Sequence, residues 1–407
     1  MTKVVWIINQ YASTPETGMG GRHYYLSRSL AKQGYTVFLI ASSFGHKMRR
    51  PPCVTDRFTV SEQGGFNMVW IKMPRYSGSG SPVRILNWFL FSFMLRFLPG
   101  FLKSKPDVVY YSSPSLIGYL GAERLARTTG ARLFFEIRDI WPLTLQKLGG
   151  YTNNNPLIRF MYWVEKRAYK SADVLLSNLK GAGRYIKQVA GSCDQFFWVP
   201  NGILLDEVSN PDPLPDGDIG KIRTNHFVVG YAGAVGKVNA INVLVDAAEL
   251  LKESHPEISF VVVGEGEQKK RLVSQVVEGG GTNVTFIGAV PKSQVQSVLS
   301  QFDALYLGWL NEDLYDFGIG ANKIPEYLYA QKPVIHSYSG GCDPIAESGA
   351  GVTIPAEDSE KLAQAIVDIY EMSCEERSYM GGLGKSYAVE NYDFERLSRK
   401  VASLIDS

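Results

Sequence analysis

Short, uninterrupted apolar runs alternate with helix-length segments along the whole chain, and this alternation constrains the fold more than any other feature. In the first half, residues 4–8, 36–41, 108–111, 132–137, 174–177 and 196–199 read as strands, and longer segments such as 23–33 and 156–170 read as helices. Several of these strands are apolar at every position, as parallel strands covered by helices on both faces must be. The pattern predicts a doubly wound α/β domain.

After a polar, Pro- and Asp-rich stretch, residues 206–225, the pattern begins again. Strands are expected at 227–231, 259–263, 284–287, 304–307 and 333–335, with helices at 241–254, 267–278 and 292–301. A chain of 407 residues has room for two such domains of roughly 200 residues each. We therefore expect an N-terminal lobe over 1–203, a second over 204–385, and a closing helix in 386–407 that returns to the first lobe. A ligand crevice is expected where the carboxyl ends of the two sheets face each other.

Net charge of +2 argues against a nucleic-acid partner, and 45% apolar residues argue against disorder. Cys53, Cys193, Cys342 and Cys374 are far apart with no C-x-x-C spacing, which fits a reducing compartment rather than a zinc site or disulfide framework. The first apolar run, 4–8, is shorter than the roughly 7–15 residues of a signal-peptide core, so a cytoplasmic chain is expected. No stretch reaches the roughly 20 apolar residues of a membrane span.

The segment Phe317-Gly318-Ile319-Gly320-Ala321-Asn322-Lys323-Ile324-Pro325-Glu326 is the most informative motif. A Gly-rich turn, an amide and a Lys at a helix start suit a diphosphate. A carboxylate one turn further in suits two ribose hydroxyls, because an ionised Glu only accepts. Each lobe also opens with a glycine turn before a helix. Gly18-Met19-Gly20-Gly21-Arg22-His23 serves the first, and Gly230-Tyr231-Ala232-Gly233-Ala234-Val235-Gly236-Lys237 the second. Either could be a tight turn alone, but both in register with Lys323 point to an anion site.

Two further features have two readings each. Asp216-Gly217-Asp218 spells a D-x-D that suits a divalent ion, yet it lies inside the Pro-rich stretch, where a solvated loop is the simpler reading. Between Arg84 and Lys105 run Trp88, Phe89, Phe91, Phe93, Phe97 and Phe101, flanked by Arg84, Arg96, Lys103 and Lys105. This fits a helix in a lipid headgroup layer, with Lys47, Arg49, Arg50 and Arg75 adding attraction, or a helix buried in the first lobe.

Motifs spread over nearly the whole chain resemble the family 4 retaining glycosyltransferases of the GT-B fold. Gly20-Gly21 with Leu30-Ala31-Lys32-Gln33-Gly34-Tyr35 resembles the family's first glycine loop and helix, and Pro200-Asn201-Gly202-Ile203 its entry to the second lobe. Val263-Gly264-Glu265-Gly266 resembles its G-x-G turn, and Phe286-Ile287-Gly288-Ala289-Val290 its base-binding F-x-G-x-V. Arg138-Asp139-Ile140-Trp141-Pro142 and Gly320-Ala321-Asn322-Lys323 are most similar to the WbuB-like transferases of bacterial surface polysaccharides. Two departures stand out. Counting back from Glu326 puts Gly318 where the family has its first carboxylate, and Ala234 and Asn239 stand where it has Arg and Lys. Lys237 and Lys323 are the remaining cations for a diphosphate. The family commonly has a His after the strand that corresponds to 133–137, whereas here the chain reads Glu136-Ile137-Arg138-Asp139.

The resemblance implies transfer of a sugar, such as an N-acetylated or deoxy hexosamine, from a UDP-sugar to a polyprenyl-diphosphate-linked saccharide, without metal or cofactor. It implies donor contacts from Gly20, Gly21, Arg138, Gly233, Lys237, Gly264, Val290, Phe317, Gly318, Ile319, Asn322, Lys323 and Glu326. Catalytic roles fall to Lys323, Glu326 and Asp139, the last orienting a hydroxyl unless it pairs with Arg138; Glu136 is a lesser candidate. The alternatives are a GT-B-fold epimerase and a two-lobed sugar-binding protein.

Overall fold

The computed structural model describes every residue except 1, 19, 47, 79, 216, 218, 219, 223 and 224. It divides into two compact units, Met1–Pro200 with Phe394–Ser407, and Asn201–Asp393. The first division precedes the polar stretch 206–225, which belongs to the second unit.

Eight strands form the first unit's sheet: β1 (Val4–Ile8), β2 (Thr36–Ser42), β3 (Phe58–Gln63), β4 (Phe66–Ile71), β5 (Val108–Ser112), β6 (Arg132–Ile137), β7 (Val174–Ser177) and β8 (Phe196–Trp198). Their order is β3-β4-β2-β1-β5-β6-β7-β8. All neighbours run parallel except β3 and β4, which form an antiparallel hairpin. That hairpin and the strand β4 are absent from the sequence reading. β3, at the sheet edge, is buried only at Phe58, while Val60 and Glu62 are exposed, so it presents no buried apolar run. The final helix, Phe394–Asp406, packs on the helix Arg22–Lys32. Gln33 Nε2 donates to Ser398 Oγ at 2.8 Å, and Phe394 meets Tyr25 with ring centres 5.3 Å apart.

The second unit's sheet holds β9 (Phe227–Ala232), β10 (Ile258–Val263), β11 (Val284–Ile287), β12 (Ala304–Gly308), β13 (Val334–Ser337) and β14 (Gly351–Ile354), in the order β11-β10-β9-β12-β13-β14. All are parallel, and the strand order reverses between β9 and β12, as in a Rossmann-like doubly wound domain. Short β14 at the edge was not foreseen. Apolar burial explains the rest: β9, β10 and β12 are buried at every position.

The helix Pro82–Met94, continued to Leu102, is not buried on all sides. Trp88, Phe91, Leu95 and Leu98 face the core, whereas Leu86, Phe89, Phe93 and Phe101 are exposed.

Candidate functional site

In an open α/β sheet, ligands bind beyond the carboxyl ends of the strands, where the strand order reverses. In the second unit the chain leaves β9 through Gly233 and β10 through Gly264. The two turns nearly touch: a Cβ on Gly264 would lie 1.8 Å from the Gly233 carbonyl oxygen. Only glycine fits there, and the strapping is completed by Lys269, whose Nζ donates to the carbonyls of Gly264 at 2.9 Å and Ile287 at 3.0 Å. The loops after β9, β10 and β11 are thus held in one frame, with half-buried Val290 just beyond β11.

Lys323 projects into this frame from the start of the helix Lys323–Tyr329. Its ammonium donates to Tyr231 Oη at 2.7 Å and Asn239 Oδ1 at 2.6 Å. It lies 4.6 Å from the Tyr231 ring centre and 5.7 Å from that of Trp309. Tyr231 Oη and Asn239 Nδ2 both donate to the Ala234 carbonyl, at 2.7 and 2.9 Å. No carboxylate among the described residues pairs with Lys323, and burial pulls its pKa down to about 7. A cation enclosed without an anion gains most when one arrives.

This arrangement accounts for one departure noted in the sequence. Ala234 and Asn239, which stand where the resemblance implies Arg and Lys, supply a carbonyl and an amide that hold Lys323 in place. Lys237 is exposed on the same loop. The helix that Lys323 opens has seven residues, so its dipole adds little; the side chain and the turns carry the field.

Gly318 adopts φ +92°, which lets the segment before Lys323 turn where a side chain would be strained. The segment is held on both sides. Tyr338 Oη lies 2.7 Å from the carbonyls of Tyr315 and Gly341, and Asn201 Nδ2 donates to the Gly320 carbonyl. Phe317 and Ile319 are half-buried beside the turn, and Asn322 is exposed.

Trp309, just after β12, is fixed from behind. Its Nε1–H donates to His336 Nε2 at 2.9 Å, so the His336 proton sits on Nδ1 and is donated to Asp343 at 2.8 Å.

Glu326 is not a free acceptor. It is 7% exposed, and its Oε1 rests against the Lys292 ammonium, a partner absent from the sequence reading although it stands two residues beyond Val290. Lys292 thereby fixes where the carboxylate points. Lys292→Met is expected to weaken nucleotide binding about tenfold through loss of this orientation, measured by calorimetric titration with UDP.

In the first unit, Gly20 and Gly21 precede the helix Arg22–Lys32, and beneath them lies a network that sequence reasoning missed. Glu136, wholly buried, accepts from Arg22 Nε at 2.6 Å, Tyr110 Oη at 2.8 Å and Ser112 Oγ at 2.6 Å. His23 Nε2 lies 3.0 Å from the same carboxylate. Glu136 therefore ties strands to a helix and is corrected from candidate to structural residue. The Arg22-His23 pair directly after two glycines was the available signal. Asp139 is exposed and forms no ion pair with Arg138 among the described residues, whereas Arg138 Nε is buried with no hydrogen-bond partner. Asp216 and Asp218 lie outside the described residues, among which no cluster of three or more His, Cys, Asp or Glu is placed to hold a metal.

Two family models match the chain: "Glycosyl transferase 4-like domain" over residues 17–202 and "Glycosyl transferases group 1" over 226–372. The 2-deoxystreptamine glucosyltransferase of Streptomyces kanamyceticus is 24% identical over 34% of this chain. An Escherichia coli protein named as a colanic acid biosynthesis glycosyl transferase, WcaI, is 22% identical over 45% of it. The matches span 35% and 46% of those two relatives' own lengths. Among solved structures, sucrose-phosphate synthase of Thermosynechococcus elongatus superposes with TM-score 0.76 at 15% identity, over 99% of this chain and 98% of that one. Anabaena Alr3699/HepE in complex with UDP superposes with TM-score 0.69 at 15% identity over 100% of both chains.

Proposed function

We propose that this chain, whose two parts match the family models "Glycosyl transferase 4-like domain" and "Glycosyl transferases group 1", moves a sugar from a nucleoside diphosphate donor, a UDP-sugar, to an acceptor hydroxyl with retention at the anomeric carbon. The observation that carries this reading is the enclosed Lys323 ammonium, with no carboxylate partner among the described residues, beside the Gly233 and Gly264 turns. As the anomeric C–O bond breaks, charge accumulates on the departing diphosphate, and a fixed cation stabilises it without reorganisation. The acceptor oxygen bonds to the same face of the sugar and passes its proton to a phosphate oxygen. No protein nucleophile takes part and no metal is needed.

Lys323, with Lys237 and the backbone around Gly233, Gly318 and Asn322, holds the diphosphate in this proposal. Glu326, aimed by Lys292, takes the ribose hydroxyls, and Gly264, Val290, Phe317 and Ile319 shape the base and sugar sites. On the first unit, Gly20, Gly21 and Arg138 meet donor phosphate, and Asp139 orients the acceptor hydroxyl. The unmatched Arg138 Nε supports its role.

The acceptor we propose is a polyprenyl-diphosphate-linked saccharide in bacterial surface polysaccharide synthesis. The enzyme would then work at the cytoplasmic face of the plasma membrane, touching it through residues 84–105. The exposed Leu86, Phe89 and Phe93 support this. An N-acetylated or deoxy hexosamine is the proposed sugar.

Incubation with a panel of sugar nucleotides and a lipid-linked acceptor tests the reading directly. Nucleotide release that depends on the acceptor is expected. Isomerisation of a sugar nucleotide without acceptor would replace it with an epimerase, and thermal stabilisation by free sugar alone would replace it with a binding protein.

A further inference from the structure

The exposed apolar stripe on the helix Pro82–Leu102 is one part of a larger surface. Leu86, Phe89 and Phe93 recur at helical spacing on the outward side, while the inward side is fixed to the first unit: Trp88 Nε1 donates to Tyr11 Oη at 2.6 Å and Asn87 Nδ2 to the Pro74 carbonyl at 2.8 Å. This helix is long and apolar enough to cross a membrane by composition, yet one face is committed to the protein core. It can therefore lie in an interface, not span one.

The stripe continues onto the helix Pro156–Ser171. Phe89 stacks on Phe160 at 6.0 Å and 19°, and Phe160 on Trp163 at 5.7 Å and 20°, with Trp163 52% exposed. Exposed Arg159, Lys166 and Lys170 share that outward side with Trp163. Arg167 lies over the Trp163 ring at 5.6 Å, and beyond it opens a cavity of about 450 Å³ lined by Arg124, Arg127, Thr128, Trp163 and Arg167 among others.

Charge on this face is one-sided. Residues 82–105 contain no acidic residue, and the helix Pro156–Ser171 contains only Glu165, which is buried and bonded to Tyr169 and Tyr185. Glu123, also in the cavity wall, is 4% exposed and already accepts from Arg127 at 2.9 Å and Arg167 at 2.7 Å. Three arginines against one carboxylate leave that cavity cationic. Aromatic rings in a continuous row, bordered by cations and lacking exposed carboxylates, match the boundary between acyl chains and anionic headgroups.

We propose that this composite face seats on an anionic lipid bilayer, with Phe89, Phe93, Phe160 and Trp163 entering the acyl boundary and the Arg124, Arg127 and Arg167 cavity taking a lipid phosphate. The proposal rests on the membrane contact offered above for residues 84–105 and adds a second helix and a phosphate site to it.

Co-sedimentation of the full chain with phosphatidylcholine vesicles, and with vesicles that also contain phosphatidylglycerol, tests it. Binding to the mixed vesicles is expected to exceed binding to the neutral ones at least tenfold. Phe89→Ser with Trp163→Ser is expected to abolish binding to both with only a modest fall in melting temperature, since about half of each ring is exposed and its buried contact is the stacking on Phe160. Arg124→Gln with Arg127→Gln is expected to weaken only the anionic binding, by about fivefold per arginine from ~1 kcal/mol for each basic residue at such a surface. If the arginine variant binds as the wild type does while the aromatic variant does not, the phosphate site falls and the contact through 84–105 stands. If the wild type binds neither vesicle, both fall. A wild-type dimer that the aromatic variant converts to monomer, with no vesicle binding, would reassign the face to a second copy of the chain.

Discussion

Replacing Lys323 with Met is expected to lower transfer at least a hundredfold and to raise the melting temperature. The two effects share one cause. An ammonium held by Tyr231 and Asn239, with no carboxylate partner among the described residues, is costly until a diphosphate arrives, and one fixed donor or cation at a developing charge is worth ~3–4 kcal/mol of barrier. The stability effect has a sign that pH reveals. The folded pKa is about 7, below the ordinary lysine value of roughly 10.4, so the unfolded chain binds more protons between those limits. Wild-type stability therefore rises with pH across that window. The variant loses this dependence, and its advantage, of order 2–4 kcal/mol at pH 7, disappears near pH 10. Calorimetric melting of both proteins at pH 7 and pH 9 measures it. Equal melting temperatures with unchanged transfer would remove Lys323 from the site.

A bound diphosphate restores the charge. At pH 8 the free protein holds only about a tenth of a proton on Lys323, and nucleotide binding is expected to draw in nearly one. Titration with UDP in two buffers of different ionisation enthalpy reads this uptake. Affinity then falls about tenfold per pH unit above 7, until the pKa of the complex is passed. Lys323→Met abolishes both the uptake and the slope.

What the sequence disclosed about this site follows from how its parts are spaced. Strands buried on both faces are apolar at every residue and could be read directly, so the tandem α/β architecture was legible. The edge strands β3 and β14 were not, because each carries too few apolar positions to stand out, whereas interior β4, FNMVWI and buried at five of six positions, did carry the signal. Lys323 and Glu326 were legible because a glycine turn, a cation and a carboxylate lie within ten residues. Their partners were not. Lys292 reaches Glu326 from 34 residues upstream, and Tyr231 and Asn239 reach Lys323 from 92 and 84 residues upstream. Such pairings are created by the parallel sheet, whose crossovers bring distant strand ends together. The Pro- and Asp-rich stretch 206–225 looks like a linker by composition yet falls within the second unit, and Arg22 holds the last carbonyls of the first unit before that stretch begins.

Glu136→Gln is expected to lower the melting temperature by about 10 °C, the largest stability loss for a change of so few atoms. Arg22 spans from the Glu136 carboxylate to the carbonyls of Val199, at 2.7 Å, and Pro200, so one buried cation joins β6, a helix start and the final residues before the second unit. Burial pushes the Glu136 pKa up, but Arg22, with His23 and Arg138, holds it well below the ordinary carboxylate range. A depressed carboxylate contributes stability above its unfolded pKa and loses it as pH falls through the folded value. The gap between variant and wild type should therefore be constant from neutral pH down to about pH 5 and narrow only in acid. Removing the anion leaves Arg22 buried and unpaired, which costs ~3–5 kcal/mol, and a unit of this size loses roughly 2–4 °C per kcal/mol. The double change Arg22→Met, Glu136→Leu is expected to recover part of the loss, because no charge is then stranded. It should not restore hydrogen-exchange protection near Val199 and Pro200, since the guanidinium that holds those carbonyls is gone. If Glu136→Gln melts within 2 °C of wild type, the network is a bystander and the segment before Asn201 must be held by other contacts.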